Sequence, residues 1–549
     1  MQTSERSPHE LAGLDQVLSG IAGSSRGKKP GTSSFKPTHT RRRLSYVLFA
    51  LCTSLYLLPF VRILLEGTDE GTLIYGAVRT VHGQILGRDF FEVVGPGTFY
   101  WLAIFFKLFG VTIMGVRVCL FITSLGTALL MYFLSRKVCE SYQTLPCVIL
   151  ASTYFGMLWP AISHHVDSNF FALASVACLV VWQDMRRKIL LIAAGLLAGA
   201  TTCFLQPKGI LLVLSLSMWL WVQCQRRRAH KSALALVVGG YFSVIGIVFV
   251  YFWSRGALWE LVYANVVWPW SHYGAVNVVP YAQGIVRSYW NPWVMATDGL
   301  HWTVLMATVL ITPLLFVAAL PGLLLLLVGR LKWNSLRPEV TLYGLCGSAL
   351  WLSEFHRKDI FHLVFGSPLL IILCIHLLAE RREKVADLSL QVLSITAGYL
   401  ACFNLLLVLT AHPLATRVGS VALLKNDPAL TFLSEHVAPG EEIFAYPYCP
   451  MYYFLSATTN PTRFSILLNN YNTVSQIEEV IQVLEQRRVK YVVWNATFET
   501  NGVESFFPGA KRLRPGDLMV EPYLESHYRV VWANSGTRVM ERKGQDHGN

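Results

Sequence analysis

The feature that most constrains this chain is a succession of long apolar runs that covers most of the sequence between residues 44 and 410. A helix needs roughly 20 apolar residues to cross the hydrocarbon core of a bilayer. The runs therefore predict a mostly α-helical, polytopic membrane bundle of about eleven spans, several of which need flanking residues to cross. The predicted spans are residues 44–65, 116–134, 145–162, 170–182, 189–204, 210–222, 233–253, 302–328, 340–352, 361–378 and 388–410.

The distribution of positive charge supports the same organisation. Lysine and arginine give the chain a formal net charge of +13, yet they gather in short loops between the apolar runs. Such loops face the cytosol. The basic loops all fall on the cytosolic side if the short segment 98–109, which Lys107 interrupts, lies along the membrane interface and does not cross the bilayer. The pattern argues against nucleic acid as a partner and predicts that residues 1–43 form a disordered, basic cytosolic N-terminus.

The same threading of residues 44–410 brings unusual polar side chains to the outer face, where we expect a first outer loop with juxtamembrane helices (66–115) and an aromatic-rich loop (254–300). A charged side chain drawn to the membrane centre costs roughly 2.5–3.5 kcal/mol, so such groups are expected where water, a cation or a reacting group meets them. The outer set comprises Asp69, Glu70, His164, His165, Asp167, Lys208, Glu354, His356, Arg357, Lys358 and Asp359.

Residues 411–549 have the pattern of a soluble extracytosolic α/β domain. Residues 442–446 and 491–494 are predicted to be short buried strands, with an amphipathic helix at 475–488 between them. Residues 528–533 and 537–541 are predicted to form a closing hairpin. The segment lacks a phosphate-binding glycine loop and a recognisable nucleophile arrangement, so we expect it to be structural or to act as a lid for the acceptor.

An ordered series of motifs on the outer face carries a resemblance to a known superfamily. Asp69-Glu70 is followed by Gly87-Arg88-Asp89-Phe90, Gly95-Pro96-Gly97, Phe109-Gly110 and Arg117, and then by Asp167 and Lys208-Gly209 at the starts of later spans. In this order the motifs resemble those of the glycosyltransferase C (GT-C) superfamily, in particular bacterial enzymes similar to protein O-mannosyltransferases and the lipid A aminoarabinose transferase. The resemblance extends over roughly residues 44–378.

This resemblance implies transfer of a sugar from a polyprenyl-phosphate donor to an acceptor hydroxyl, in a cavity that opens to the periplasm. The departing phosphate is already stable as an anion, so the reaction needs a base for the hydroxyl and cations for the phosphate. Asp69 matches the family's catalytic acidic residue and is the candidate base of an inverting reaction, and Glu70 would orient it. Lys208 matches a family lysine that binds phosphate.

Further substrate contacts are predicted from residue type. Arg357 could hold phosphate oxygens with parallel N–H donors, and His356 and Lys358 lie beside it. His165 and Asp167 provide polar groups at another span end.

Each of these residues also has a simpler interpretation. Asp69 and Glu70 could cap a juxtamembrane helix, where anions suit the helix dipole. Lys208 could extend to the interface as an ordinary flanking lysine, and the segment around Arg357 could be a solvated loop. Most aromatic residues of the loop 254–300 suit a membrane-surface belt.

We expect no required cofactor and assign no metal ligands. A divalent cation held by the histidine pair and Asp167 together with Asp69 and Glu70 is the alternative, because imidazole and carboxylate are suitable ligands and some family members use a metal.

The sequence thus predicts a glycosyltransferase of the bacterial inner membrane, with its C-terminal domain periplasmic or extracellular. Its expected partners are a polyprenyl-phosphate-linked hexose or pentose, membrane lipids, and an acceptor that is a lipid, a glycan or a protein. The alternatives are a lipid or glycan flippase and a non-catalytic envelope assembly protein. A transporter usually shows ionisable residues at mid-span and inverted repeats with broken helices, and neither pattern is visible in the sequence.

Overall fold

Helices dominate the described residues up to residue 409. In a computed structural model of the protein, the described residues are 39–64, 68–139, 141–153, 161–273, 337–355, 357, 360–380, 383–409, 411–423, 427–495, 516–534 and 536–544. The helices of the first part are α1 (His39–Phe60), α2 (Asp69–Val81), α3 (Pro96–Phe109), α4 (Ile113–Val138), α5 (Leu145–Thr153), α6 (His164–Met185), α7 (Lys188–Phe204), α8 (Gln206–Gln225), α9 (Lys231–Ser254), α10 (Leu258–Val262), α11 (Pro338–Ser353), α12 (Ile360–Gly366), α13 (Pro368–Glu380) and α14 (Lys384–Val408). Two π-helical turns, Tyr263–Val267 and Pro269–Tyr273, follow α10.

Six of these helices are long and apolar enough to cross a membrane, judged by length and composition. They are α1, α4, α6, α8, α9 and α14, and α7 and α13 are shorter apolar helices. The mostly helical membrane fold is therefore confirmed, whereas the total of about eleven spans stays a prediction. The predicted span 302–328 lies outside the described residues, as does most of the aromatic loop 254–300 beyond Tyr273.

One predicted span is wrong as a single helix. The apolar run 361–378 is divided into α12 and α13 at Ser367. Pro368 disfavours helical backbone at the residue before it, and it begins α13 as an N-terminal proline.

The segment expected to lie along the interface forms α3. Its 14 residues span about 21 Å, which is less than the ~30 Å hydrocarbon core. Thr98, Leu102 and Phe106 are buried along one side, while Ile104 and Leu108 are exposed. The position of this helix along the interface stays a prediction.

The C-terminal part contains the predicted strands and helix. Strands β4 (Ile443–Tyr446) and β5 (Tyr491–Asn495) are parallel, and β5 and β6 (Tyr528–Ala533) each pair antiparallel with β7 (Thr537–Arg542). Parallel neighbours need a crossover. The crossover from β4 to β5 includes the predicted helix, which is found at Val474–Arg487. Thr473 and Gln476 form a reciprocal capping box at the start of this helix.

A second, smaller sheet joins distant parts of the chain. Strand β1 (Ile63–Leu64), after α1, pairs in parallel with β3 (Gly419–Leu423), which also pairs with β2 (His412–Thr416). One buried apolar cluster likewise contains residues of α2, α3 and α4 together with residues of the C-terminal part. The two parts are therefore packed directly together, while the domain limits proposed from the sequence stay predictions.

Helix α2 makes a close contact with the C-terminal part through Gly71. A Cβ atom at this position would lie 2.6 Å from the backbone nitrogen of Met451, which begins a short helix at Met451–Leu455. Only a residue without a side chain allows the two backbones to approach this closely. The contact brings the segment before Met451 against the first turn of α2.

Gly71→Ala is expected to lower the free energy of unfolding by about 1–3 kcal/mol, because the added methyl group meets backbone atoms. Gly239→Ala is the matched control in helix α9, where an added Cβ has no neighbour within 4 Å among the described residues. The control should raise stability slightly, by about 0.5–1 kcal/mol. Thermal unfolding of the two variants in detergent measures the difference, and equal melting temperatures would contradict the close contact.

Candidate active site

Asp69 lies in the first turn of α2 and is exposed. Its Oδ1 atom accepts a hydrogen bond from the hydroxyl of Tyr448, a buried residue that precedes Met451. Burial raises the pKa of Tyr448 well above its usual value, and the negative charge of Asp69 adds to this shift. Tyr448 therefore stays a neutral hydrogen-bond donor that holds one oxygen of the carboxylate.

Glu70 points in a different direction and is buried. Its Oε1 atom lies 2.6 Å from Nη1 of Arg117 and accepts a hydrogen bond of 3.1 Å from the backbone N–H of Ile162. Neither acidic residue is the N-cap of α2, and the N-cap residue Thr68 makes no side-chain capping bond. Glu70 thus joins α2 to α4 and to the segment that leads into α6.

Lys208 belongs to a second, fully buried cluster. Its Nζ atom lies 2.6 Å from Oε1 of Glu354 and donates a hydrogen bond of 2.9 Å to Oδ1 of Asn169. Nδ1 of His165 lies 3.0 Å from the same Glu354 oxygen. The cluster therefore combines a cation, a carboxylate and an imidazole from three separate helix ends.

Local sequence explains how these ends meet. Ser163 caps α6 by accepting a hydrogen bond from the backbone of His165, and Pro207 suits the first turn of α8. Gly209 touches Thr202 of α7 so closely that a side chain would overlap it. Glu354 directly follows the last turn of α11.

The other predicted residues have these positions. Asp167 is buried in the first turn of α6 and accepts a hydrogen bond of 2.9 Å from the Thr98 hydroxyl of α3. The backbone N–H of Arg357 donates to the carbonyl of Glu354 at 3.2 Å, which places Arg357 beside the Lys208 cluster. His356 and Lys358 lie outside the described residues.

A possible metal-binding group overlaps the lysine cluster. His165, Glu354 and His362 each offer a ligand atom, and these atoms lie within 4.8 Å of one another. The Oε2 atom of Glu354 has no hydrogen-bond partner among the described residues, so it could serve as a ligand. Lys208 already balances the charge of Glu354, however, and Asp69 and Glu70 are not in this described group. The expectation that no metal is required stays a prediction.

The first outer loop contacts the segment that carries Lys208. A Cβ atom at Gly97 would lie 2.8 Å from the carbonyl carbon of Cys203, at the end of α7. Farther along, the Gln206 side chain donates to Asn265, which donates to the backbone carbonyl of Glu92. The glycines of Gly95-Pro96-Gly97 therefore allow the loop to lie against the start of α8.

Several residues of the site were missed by sequence reasoning. Glu354 had a usable signal, since it is an acidic residue at a span end on the same face as Lys208. Tyr448 had none, because its partner Asp69 is distant in the chain and only the fold brings them together. The roles of Thr98, Asn169 and Glu92 were missed for the same reason.

No family model matches the sequence, and no curated protein matches it. Among solved structures, the protein is similar to the archaeal oligosaccharyltransferase AglB from Archaeoglobus fulgidus, solved with an inhibitory peptide and a dolichol-phosphate. The TM-score is 0.50 at 13% sequence identity, and the match covers 92% of this chain and 75% of that chain. The chain shares the fold of this oligosaccharyltransferase. A further match is ArnT from Cupriavidus metallidurans bound to undecaprenyl phosphate, with a TM-score of 0.45, 12% identity, and coverage of 92% and 99%.

At the level of architecture, this shared fold agrees with the resemblance that the outer motifs indicated. The helices long enough to span a bilayer also indicate an integral membrane protein. The roles of the individual site residues stay predictions.

Lys208→Met is expected to lower the free energy of unfolding by about 3–5 kcal/mol, because it leaves Glu354 as a buried charge without its cation. Adding Glu354→Gln removes that charge and should restore most of the stability. Thermal unfolding of the single and double variants tests this pair. If Lys208→Met had the same melting temperature as the wild type, the ion pair between Lys208 and Glu354 would not stabilise the fold.

Proposed function

We propose that the protein is a membrane glycosyltransferase that moves a sugar from a polyprenyl-phosphate donor to an acceptor hydroxyl on the outer side of the membrane. The observation that carries this proposal is Asp69, an exposed carboxylate that Tyr448 orients at the start of an outer-loop helix. Two further facts support it. The buried cation Lys208 lies at the start of α8, and the AglB protein with the same fold binds a dolichol-phosphate.

The proposed reaction is a single inverting displacement. The acceptor oxygen forms a bond to the anomeric carbon, and the bond from that carbon to the phosphate oxygen breaks. The hydroxyl proton passes to Asp69, and polyprenyl phosphate departs with the electron pair and one more negative charge. Because Tyr448 occupies Oδ1 of Asp69, Oδ2 is the oxygen that would receive the proton.

Lys208 is the proposed ligand of the phosphate. An ammonium group has three N–H donors, and within the described residues Glu354 and Asn169 use two of them. The third donor could reach a phosphate oxygen, and Arg357 would add a second cation at the same helix ends. Asp167, His165, His356 and Lys358 are proposed to line the same cavity. Glu70, in contact with Arg117 and Ile162, is proposed to act by positioning Asp69.

The remaining assignments follow from the resemblance. The donor sugar is proposed to be a hexose or a pentose, and the acceptor a lipid, a glycan or a protein. The proposed location is a bacterial inner membrane with a cytosolic N-terminus, which would place residues 411–549 in the periplasm or outside the cell.

Asp69→Asn is expected to lower the transfer rate by about 10²–10⁴-fold, since an amide cannot accept the hydroxyl proton. Asp427→Asn is a matched control, because Asp427 also accepts a hydrogen bond from a tyrosine hydroxyl, that of Tyr452, at 2.8 Å. The assay follows release of polyprenyl phosphate from polyprenyl-phosphate hexose or pentose by mass spectrometry. An envelope extract of cells that lack the protein supplies the acceptor.

Unchanged turnover in Asp69→Asn would remove the proposed mechanism. If the wild-type protein moved the donor across vesicle membranes without consuming it, a flippase would replace the transferase. Binding of the donor without transfer or transport would instead favour the assembly protein.

Tyr448→Phe is expected to lower kcat about 10-fold, equivalent to ~1.4 kcal/mol, because the carboxylate of Asp69 loses the donor that orients it. The KM for the donor should change little. Tyr452→Phe removes the analogous hydrogen bond to Asp427 and serves as the control. A loss of kcat of the same size in both variants would indicate a general effect on folding and not a role at Asp69.

A further inference from the structure

Glu92 is a buried carboxyl in the first outer loop, with only 2% of its surface exposed. The backbone fixes its position from two sides. The N–H of Phe91 donates to the carbonyl of Arg463 at 2.9 Å, and the carbonyl of Glu92 accepts a hydrogen bond from the Asn265 side chain. Glu92 therefore lies where the first outer loop, the π-helical segment and the C-terminal part meet.

The side chain of Glu92 has an unsatisfied oxygen. Its Oε1 atom is buried and has no hydrogen-bond partner among the described residues, and the Ser465 side chain lies close enough to the carboxyl to lower its pKa. Phe91 and Phe464 form a parallel β-bridge, so Glu92 and Ser465 follow two bridged residues in register. A buried polar group without a partner costs about 1–3 kcal/mol, which a ligand with hydrogen-bonding groups would recover.

Aromatic rings surround the preceding residue, Phe91. The Phe91 ring lies 5.8 Å from that of Phe464 and 5.9 Å from that of Trp268, measured between centroids. The indole Nε1 of Trp268 also has no hydrogen-bond partner among the described residues. Glu92 and Ser465 adjoin Phe91 and Phe464 in the chain, and Trp268 contacts Phe91, so the three polar groups belong to one region of the fold. A carboxyl, a hydroxyl and an indole N–H suit a ligand that is rich in hydroxyl groups.

The groups that face Glu92 include the proposed base. The pKa of the Glu92 carboxyl is raised to about 8; burial is the main cause and the negative charge of Asp69 contributes, whereas Ser465 and the positive charge of Arg79 act in the opposite direction. The negative charge of Glu92 also raises the pKa of Tyr448, the residue that donates a hydrogen bond to Asp69. At pH 7 the protonated form of Glu92 therefore predominates.

We propose that Glu92 and Ser465 form a hydroxyl-binding subsite beside Asp69, in which Glu92 acts as a neutral carboxyl that donates a hydrogen bond to a hydroxyl group of the sugar or of the acceptor. This inference rests on the proposed function and deepens it. A neutral carboxyl has an O–H donor, which an ionised one lacks, and it does not repel the charge of Asp69. Asp69 remains the group that takes the proton.

The sign of the pH dependence follows from the protonated form. This form predominates below pH 8 and is lost as the pH rises through that value, so wild-type kcat/KM should fall about 10-fold between pH 7 and pH 9. Glu92→Gln cannot ionise and should lose this decline. Glu92→Leu has no hydrogen-bonding group and should lower kcat/KM about 10-fold or more at every pH, with its thermal stability retained.

Glu521→Gln is the matched control for the pH profile. Burial also raises the pKa of Glu521, but Oε1 of this residue accepts a hydrogen bond from Tyr446 and the residue lies outside the proposed site. Glu521→Gln should therefore show the same decline of kcat/KM above pH 8 as the wild type. Equal profiles for the wild type and Glu92→Gln, or inactivity of Glu92→Gln at every pH with an intact fold, would overturn the proposal.

A readout independent of turnover separates this inference from the proposed function. Infrared difference spectra of wild type minus Glu92→Gln, recorded for the full chain in lipid nanodiscs, should show the C=O stretch of a protonated carboxyl at pH 7. Polyprenyl-phosphate hexose or pentose should shift this band if Glu92 holds the donor sugar, and the envelope extract alone should shift it if Glu92 holds the acceptor.

Each outcome of the infrared experiment decides one of the two claims. A band that no addition shifts, in a protein that does consume the donor, would overturn the subsite and leave the transferase standing. A shifted band in a protein that does not consume the donor would overturn the transferase and keep a hydroxyl-binding site at Glu92.

Discussion

The Glu70–Arg117 ion pair is the contact on which the geometry of the proposed site depends. Both side chains are almost fully buried and 2.6 Å apart, and Glu70 also accepts a hydrogen bond from the backbone of Ile162. A buried charge must be paired in good geometry, so this contact fixes the first turn of α2 against α4 and the start of α6. The next residue back, Asp69, lies about 100° around the helix and so points toward Tyr448. Two acidic residues that are adjacent in sequence thus differ in burial, partner and proposed role.

The proposed phosphate site follows a related rule. An ammonium group without a counter-charge cannot stay fully buried and charged, so Lys208 requires Glu354 before any donor arrives. Glu354 in turn has one oxygen in contact with Lys208 and His165, and its other oxygen has no hydrogen-bond partner among the described residues. A pair of this kind holds the lysine in place, and an incoming phosphate would share the cation instead of organising it. Preorganised charge of this sort is effective in catalysis because it needs little rearrangement during the reaction.

The sequence was sufficient to predict the membrane class, the helical architecture and the strands of the C-terminal part, because each depends on local periodicity. The GT-C resemblance likewise used residues in chain order, such as Asp69, Asp167 and Lys208, that the start of a helix displays. Long-range pairings were not predictable. Tyr448 meets Asp69 only because Gly71 allows Met451 to approach, and Glu354 meets Lys208 only through the packing of α11 near α8. The division of the run 361–378 was in principle visible, since Pro368 disfavours helix at the residue before it.

The two carboxyl groups nearest to Tyr448 differ in environment, and this difference decides their roles. Asp69 is exposed, and its Oδ1 atom accepts a hydrogen bond from Tyr448, which leaves Oδ2 for the proposed role as a base. Glu92 is buried, its Oε1 atom has no hydrogen-bond partner among the described residues, and it lies near the negative charge of Asp69, all of which favour the neutral form. Two acidic groups in different environments can divide the work between proton acceptance and hydrogen-bond donation. If Glu92 were ionised, Ser465 and the positive charge of Arg79 would offset only part of the cost of burying its charge, and the negative charge of Asp69 would add to that cost.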